Sequence, residues 1–126
     1  MIFTMHAALA LAAAQNWNCS DPQTQLEMNQ CAARDAERED AALNQLWPQV
    51  VAAVRRQDSE AETGGEGERR LRAAQRAWVT FREAECSRRG TEALGGSMEP
   101  WLVSTCWVSL TRARLAELRA LTQQNR

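Results

Sequence analysis

The stretch Gln75–Cys86, with the sequence QRAWVTFREAEC, decides the fold of this chain. Residues three and four apart share one face of an α-helix, so Trp78, Arg82 and Cys86 form a single stripe. Each member of the stripe needs a partner. The indole needs apolar neighbours, the guanidinium needs a carboxylate, and the thiol needs a second cysteine if the compartment is oxidising. The rest of the chain has to supply these three partners.

Helix 1 is predicted to begin at about Gln25, because Thr24-Gln25-Leu26-Glu27 forms a capping box. Pro48 predicts a kink or break near Trp47, since proline removes a helix hydrogen bond, and the helix then continues to about Arg56. The predicted inward stripe recurs at three- and four-residue steps or their multiples and consists of Met28, Cys31, Asp35, Leu43, Leu46, Val50 and Val54.

Two more helices are predicted, from about Glu68 to Arg89 and from about Pro100 to Thr122. Gly90 predicts the end of helix 2, and Ser97 or Glu99 is the candidate cap of helix 3. The glycine-rich segments 57–67 and 91–100 are predicted to be exposed connections, the first of them flexible. The predicted inward faces are Leu71, Ala74, Gln75, Trp78, Phe81, Arg82 and Cys86 in helix 2, and Val103, Cys106, Trp107, Leu110, Arg114, Leu118 and Leu121 in helix 3. Because strand patterns are short and scattered, the prediction is all-α, an up-down-up three-helix bundle.

Antiparallel packing brings Cys31, Cys86 and Cys106 to one end of this bundle, the disulfide pole, and Cys19 can reach it. Four cysteines behind an export signal predict two disulfides. Pairing Cys86 with Cys106 and Cys19 with Cys31 closes the shorter loops. A pattern that crosses from helix 1 to helix 2 or 3 is equally open.

The positions of the cysteines along the bundle axis also predict a partner for Arg82. One to two turns from the cysteines, a partly buried ion cluster is expected, with Asp40 (or Asp35) between Arg82 and Arg114. Asp40→Ala should then destabilise the fold more than Glu39→Ala at an exposed neighbour. The alternative is that both arginines are exposed on helix edges.

Residues 1–14, MIFTMHAALALAAA, are uncharged apart from His6, are largely apolar and end in three alanines, which predicts a cleaved signal peptide before a helical domain at 15–126. The run is shorter than the roughly twenty residues that span a bilayer, so no stable membrane insertion is expected; a short buried helix is the alternative. Cleavage removes His6, the only histidine, which excludes His-dependent triads and His-ligated metals. We expect a periplasmic or secreted protein without metal or cofactor.

A net charge of −1 argues against nucleic acid and leaves a protein as the expected partner. Two candidate contact surfaces are the acidic residues Asp58, Glu60, Glu62 and Glu66, whose alternative is a solvated loop, and the loop residues Gly95, Gly96 and Ser97. A solvent-facing pair of Trp17 and Trp101 would indicate a further binding patch, whereas packing over the bundle ends is their ordinary role. Glu83 and Glu85 are an acid pair of the kind glycosidases use, but local salt bridges explain them better, so no enzyme activity is expected.

Several segments taken together resemble the lysozyme inhibitor LprI-like domain of small exported bacterial proteins. They are Cys19 with residues 24–32 (TQLEMNQCA), 40–44 (DAALN), 75–78 (QRAW), 81–83 (FRE) with Cys86, 95–97 (GGS), and Cys106 with Thr111, Arg114 and Leu118. The sequence departs from the family pattern at Trp47-Pro48 and in its longer acidic loop. The resemblance implies an exported protein that binds and inhibits a lysozyme or a related cell-wall lytic enzyme. The alternative is a periplasmic protein-interaction module with an envelope partner.

Overall fold

The computed structural model describes residues 17–124 and contains three α-helices in that range. They are α1 (Gln25–Ala61), α2 (Glu66–Gly90) and α3 (Glu99–Gln123), with a 3-10 turn at Thr91–Ala93 between α2 and α3. Within the described residues there is no strand, and the predicted all-α three-helix bundle is confirmed. The predicted signal peptide at 1–14 lies outside the described residues.

The start of α1 follows the capping sequence. The Thr24 hydroxyl accepts a hydrogen bond from the Glu27 amide at 3.1 Å. The Glu27 carboxylate accepts in turn from the amide of Gln23 at 2.9 Å, one residue earlier than an ordinary capping box would place it. The Thr24 hydroxyl and the Glu27 carboxylate therefore each accept from a backbone amide at the start of α1.

Helix α1 continues without interruption through Pro48, so the alternative of a break near Trp47 is wrong. Pro48 is exposed, whereas Leu43 before it and Val50 and Val51 after it are buried. Packing of both halves of α1 into the same core offsets the hydrogen bond that proline removes. A kink at this position stays a prediction. The helix also ends later than expected, at Ala61 rather than near Arg56.

The core lies between α1 and α3 and is centred on Leu43, Val50, Leu115 and Leu118. Partly buried apolar side chains close around it, namely Ala42, Leu46, Trp47, Leu71, Trp78 and Leu121. The prediction missed Leu115. It also placed Asp35, Ala74 and Phe81 inside, whereas all three are exposed. For Phe81 the reason is angular, since each residue turns about 100° on a helix and burial of Arg82 directs its neighbour outward.

The predicted exposed segment 57–67 is mostly helical, which corrects the sequence analysis. The turn between α1 and α2 is confined to residues 62–65, where Glu62, Gly64 and Gly65 all have positive φ angles of 55°, 67° and 85°. A turn this tight needs left-handed backbone, which glycine adopts at little cost. Asp58, predicted to be exposed, is buried beneath this turn.

Helix α2 ends at Gly90 as predicted, but for a different reason. Gly90 has a right-handed φ of −58°, so a left-handed end is not what requires glycine here. A Cβ at this position would lie 2.8 Å from Cγ2 of Val103, which shows that α2 and α3 approach closely at Gly90. Neither Ser97 nor Glu99 caps α3, because Met98 occupies the cap position and makes no side-chain cap bond.

Candidate functional site

The disulfide pole is closed by two disulfides, as predicted. They join Cys19 to Cys31 and Cys86 to Cys106, with Cα–Cα distances of 5.5 and 5.4 Å, which is the shorter-loop pairing of the two that were open. Cys86 and Cys106 are fully buried, whereas Cys19 is exposed. The Cys86–Cys106 bridge joins α2 to α3, and the Cys19–Cys31 bridge holds the segment that precedes α1 against that helix.

Arg82 is buried, and α1, α2 and α3 all contribute to its surroundings. Its Nη1 donates to Oδ1 of Asp40 at 2.9 Å and to the hydroxyl of Thr111 at 3.1 Å. The guanidinium carbon lies 4.7 Å from the ring centre of Trp78 and 3.7 Å from that of Trp107, so the cation sits against two aromatic rings. The Asp40–Arg82 contact is the one expected from helix heights. Its contribution to stability is a prediction.

The rest of the expected ion cluster is not assembled. Arg114 donates to Gln75 Oε1 and to the Glu117 carboxylate, each at 2.9 Å, so placing Asp40 between two arginines was wrong. The other candidate acid, Asp35, pairs with Arg38 at 3.4 Å on the solvent side of α1. Residues three apart are neighbours on a helix surface, which places Glu117 within reach of Arg114 and Arg38 within reach of Asp35.

Glu39 is not the exposed neighbour that the sequence analysis took it for. Its side chain is only 18 % exposed and it accepts from Arg112 of α3 at 2.9 Å, whereas the side chain of Asp40 is 37 % exposed. Glu39→Ala therefore removes an interhelical ion pair and cannot serve as the control for Asp40→Ala.

Sequence reasoning missed the Thr111 hydroxyl as a partner of Arg82. Thr111 is fully buried and lies four residues after Trp107 on the inward face of α3, so extending that face by one turn would have found it. It was overlooked because a threonine carries no apolar signal.

Asp58 caps helix α2 from the end of α1. Its carboxylate accepts from the amides of Gly67 and Glu68, each at 2.9 Å, and from the Thr63 hydroxyl at 2.6 Å. The Thr63 hydroxyl, and next the Glu68 amide, hold the pKa of Asp58 below its usual value because they stabilise the ionised form. A side chain on Gly67 would collide with this carboxylate. Asp58 is therefore unavailable as a partner-binding residue, which corrects its place in the candidate surface.

Arginines neutralise part of the remaining acidic candidate surface. Glu66 pairs with Arg69 at 2.6 Å and Arg70 at 3.3 Å, and the hydrogen bond and charge of Arg69 lower the pKa of Glu66. Glu60 and Glu62 are exposed. The negative surface at this end of the bundle is thus smaller than the run of acids suggested.

The loop of residues 94–98, at the disulfide pole, is held by several hydrogen bonds. The Gly95 amide donates to the Glu99 carboxylate at 2.9 Å, the Gly96 amide to the Ala93 carbonyl at 2.8 Å, and the Asn29 side chain of α1 to the Ser97 carbonyl at 2.8 Å. The predicted residues Gly95, Gly96 and Ser97 are therefore exposed but braced from both neighbouring helices.

Apolar side chains flank this braced loop. Leu94 is 74 % exposed and Met98 is 43 % exposed. Leu26, on the first turn of α1 three residues before Asn29, is 57 % exposed at the same end. Exposed apolar side chains that lie together, rather than singly, are a feature of protein-binding surfaces.

The tryptophan pair and the acid pair have ordinary surroundings. Trp17 and Trp101 are half-buried and line grooves beside the Cys19–Cys31 bridge, so they do not form a solvent-facing pair. Glu85 pairs with Arg88 and Arg89, and the Arg88 hydrogen bond lowers the pKa of Glu85. This pairing agrees with the salt-bridge interpretation for Glu85, whereas Glu83 is exposed and no ion pair of it is seen within residues 17–124.

Residues 17–124 contain neither a candidate metal site nor a candidate membrane span. No three His, Cys, Asp or Glu side chains in that range are grouped so that they could hold a metal ion. No helix in that range is apolar over a length sufficient to cross a bilayer.

Fold and surface together define a small, disulfide-linked all-α domain with a braced, apolar-flanked loop at one end. The family model for the lysozyme inhibitor LprI matches residues 18–118, which is most of the chain, and the protein belongs to this family. An uncharacterized protein of Rhizobium meliloti (strain 1021) is 43 % identical over 111 residues, covering 84 % of this chain and 79 % of that protein. No solved structure matches.

Proposed function

We propose that this protein is exported to the periplasm or secreted, and that it binds and inhibits a lysozyme. The observation that carries the proposal is the match to the lysozyme inhibitor LprI family across residues 18–118. The two disulfides support export, because such bridges form and persist in oxidising compartments. The protein acts by binding and does not turn over a substrate.

The proposed contact surface is the loop of residues 94–98 together with Leu26. Leu94 and Met98 supply apolar area that a partner can bury. The hydrogen bonds to Asn29 and Glu99 hold the loop in place before binding, so little conformational entropy is lost when the partner docks. The buried Cys86–Cys106 bridge fixes the helix ends from which the loop projects.

The acidic surface has a smaller part in this proposal. Glu60 and Glu62 lie at the α1–α2 turn, which the up-down-up topology places at the opposite end of the bundle from the 94–98 loop. They can steer a cationic partner toward the protein without contacting it in the complex. Raising the salt concentration should then slow association and leave dissociation nearly unchanged.

An inhibition assay on bacterial cell walls tests the proposal. Oxidised protein is added in increasing molar ratio to lysozymes of several structural types, and the lysis rate is followed by turbidity. We expect at least one lysozyme to be inhibited in a saturable manner, with reduced, unfolded protein as the inactive control. Full lysis by every lysozyme at large molar excess would contradict the proposal.

A periplasmic interaction module with an envelope partner is the second candidate function. The exposed Leu26, Leu94 and Met98 favour it, because such a surface fits any protein with a complementary apolar patch. Pull-down with oxidised protein against the lysozyme panel and an envelope extract separates the two functions. Retention of a lysozyme supports inhibition, and retention of one envelope protein with no lysozyme supports the alternative.

A further inference from the structure

A pocket between α1 and α2, lined by both polar and apolar side chains, has no part in the proposed lysozyme contact. It has a volume of about 280 Å³, and facing turns of the two helices supply its walls. From α1 come Asp40, Asn44 and Trp47, and from α2 come Gln75 and Arg82. The pocket lies on the side of the bundle and is separate from the 94–98 loop.

The buried guanidinium at this pocket has donor capacity that the protein does not use. Arg82 is 4 % exposed, and both of its hydrogen bonds come from Nη1, to Asp40 and Thr111. Its buried Nε has no hydrogen-bond partner in the described part of the chain. A guanidinium carries five N–H donors, and buried donors are normally satisfied. The buried Nε is out of reach of a ligand, but Nη2 makes no hydrogen bond within residues 17–124 and can donate to an acceptor bound in the pocket.

The charge of the pocket selects against ions. Asp40 lies 2.9 Å from Arg82 and its side chain is 37 % exposed, so an anion would meet this carboxylate and a cation would meet the guanidinium. A neutral amide suits both groups at once, because its carbonyl can accept from Arg82 while its N–H donates to Asp40.

The remaining walls fit a sugar ring. Val79, with the nearly buried Leu43 behind it, provides an apolar wall that can accept a methyl group, and the half-buried Trp47 provides an indole against which the C–H face of a sugar ring can pack. Asn44 is exposed, and Gln75 uses only Oε1, to accept from Arg114. The two side-chain amides can therefore donate to hydroxyl groups. We propose that this pocket binds a neutral N-acetylated hexosamine unit, free or in a glycan.

Titration of the oxidised protein with N-acetylglucosamine and its β-1,4-linked dimer tests this site, with amide chemical shifts as the readout. We expect saturable shifts at the pocket residues at millimolar concentrations of sugar. Asn44→Ala should weaken binding about tenfold, the equivalent of one lost hydrogen bond. Val79→Phe should abolish it by filling the pocket. Gln45→Ala is the matched control, because Gln45 is exposed beside Asn44 and does not line the pocket.

Three results would overturn the sugar site. They are the absence of saturable shifts, equal affinity in Asn44→Ala, Val79→Phe and Gln45→Ala, and stronger shifts of the same residues with acetate or inorganic phosphate. Melting curves of each variant show whether the fold is retained. The readout does not involve a lysozyme, so failure of this site leaves the proposed inhibition untouched, and failure of inhibition leaves this site untouched.

Discussion

At the scale of single residues, Arg82 explains why the stripe in Gln75–Cys86 has the composition it has. A full charge at a position that is 4 % exposed needs compensation, which comes from the Asp40 carboxylate, the Thr111 hydroxyl and two indole rings. These groups come from all three helices. The arginine therefore fixes the relative positions of α1, α2 and α3, and its primary role is structural.

Removing the carboxylate should destabilise the protein more than removing an exposed acid from the same helix. We expect Asp40→Ala to lower the free energy of unfolding by about 1–3 kcal/mol, because it deprives a buried guanidinium of its charged partner. Glu37→Ala, at an exposed position one turn earlier, should change it by less than about 0.5 kcal/mol. Urea unfolding measures both, and equal midpoints for the two variants would count against a structural role for the pair.

Helix register sets the height of each side chain in the bundle, and from the sequence it left Asp40 and Asp35 as candidate partners of Arg82, of which Asp40 makes the contact. It could not show that Arg114 turns to Gln75 and Glu117, or that Glu39 pairs with Arg112. Those choices depend on side-chain direction and reach across a helix interface, which periodicity does not encode.

At the scale of elements, the end of α1 caps the start of α2 across the turn between them. The first amides of a helix have no partner within the helix, and Asp58 of α1 accepts from two of them in α2. In the sequence Asp58 looks like one more acid in an exposed run, because no neighbouring residue shows that it faces the next helix. Gly67 was the one sequence feature that could have indicated this contact, because only a glycine at that position leaves room for the Asp58 carboxylate.

Because Asp58 caps α2 in its ionised form, the stability of the fold should depend on pH. A carboxyl whose pKa is lower in the folded state stabilises the fold above its unfolded pKa, about 3.9 for aspartate. That contribution is lost as the pH falls through the lower folded value of Asp58. Thermal melts between pH 2 and pH 7 should therefore show Asp58→Ala with a lower melting temperature than the parent at neutral pH, and with a gap that narrows in acid.

Glu60→Ala is the control for the acid prediction, because Glu60 is an exposed acid two residues away on the same helix. Its melting temperature should follow that of the parent protein across the whole pH range. A gap between Asp58→Ala and the parent that stays constant or widens in acid would show that ionisation of Asp58 does not support the cap.

The contact between α2 and α3 at Gly90 gives a third prediction. Gly90→Ala should lower the free energy of unfolding by about 1–3 kcal/mol, because the new methyl group would lie 2.8 Å from Val103 and force the helices apart. Ser87→Ala, at an exposed position one turn earlier, should be neutral or slightly stabilising in the same chemical denaturation experiment. A stabilised Gly90→Ala would mean that helix propensity outweighs the close approach.

At the scale of the whole molecule, the two disulfides differ in exposure although they close the same end of the bundle. Cys86 and Cys106 are buried, whereas Cys19 lies open to solvent. Thiol–disulfide exchange requires a thiolate to reach a sulfur atom, so access controls the rate. Limited treatment of native protein with a dithiol, followed by alkylation and peptide mass analysis, should label Cys19 and Cys31 first. Earlier labelling of Cys86 and Cys106 would contradict this order.

The architecture could be predicted from sequence because helix periodicity, glycine positions and cysteine heights all indicated one bundle. The surface could be predicted only in part. Gly95, Gly96 and Ser97 were recognised as a loop, but the hydrogen bonds from Asn29 and to Glu99 that brace it join segments far apart or across a turn. The exposure of Leu94 and Met98 likewise depends on which way the loop faces.

The most direct test of the account compares lysozyme inhibition by one double variant and one single variant with that by the parent protein. Leu94→Ser combined with Met98→Ser removes the apolar flanks of the 94–98 loop. Phe81→Ser removes an apolar side chain on α2, away from this loop, whose exposure of 52 % lies between those of Met98 and Leu94. With both variants shown to melt cooperatively, the account predicts that the loop variant loses at least about tenfold in inhibition constant, while Phe81→Ser inhibits like the parent. Equal inhibition by the loop variant and the parent would contradict the proposal that the 94–98 loop is the contact surface for lysozyme.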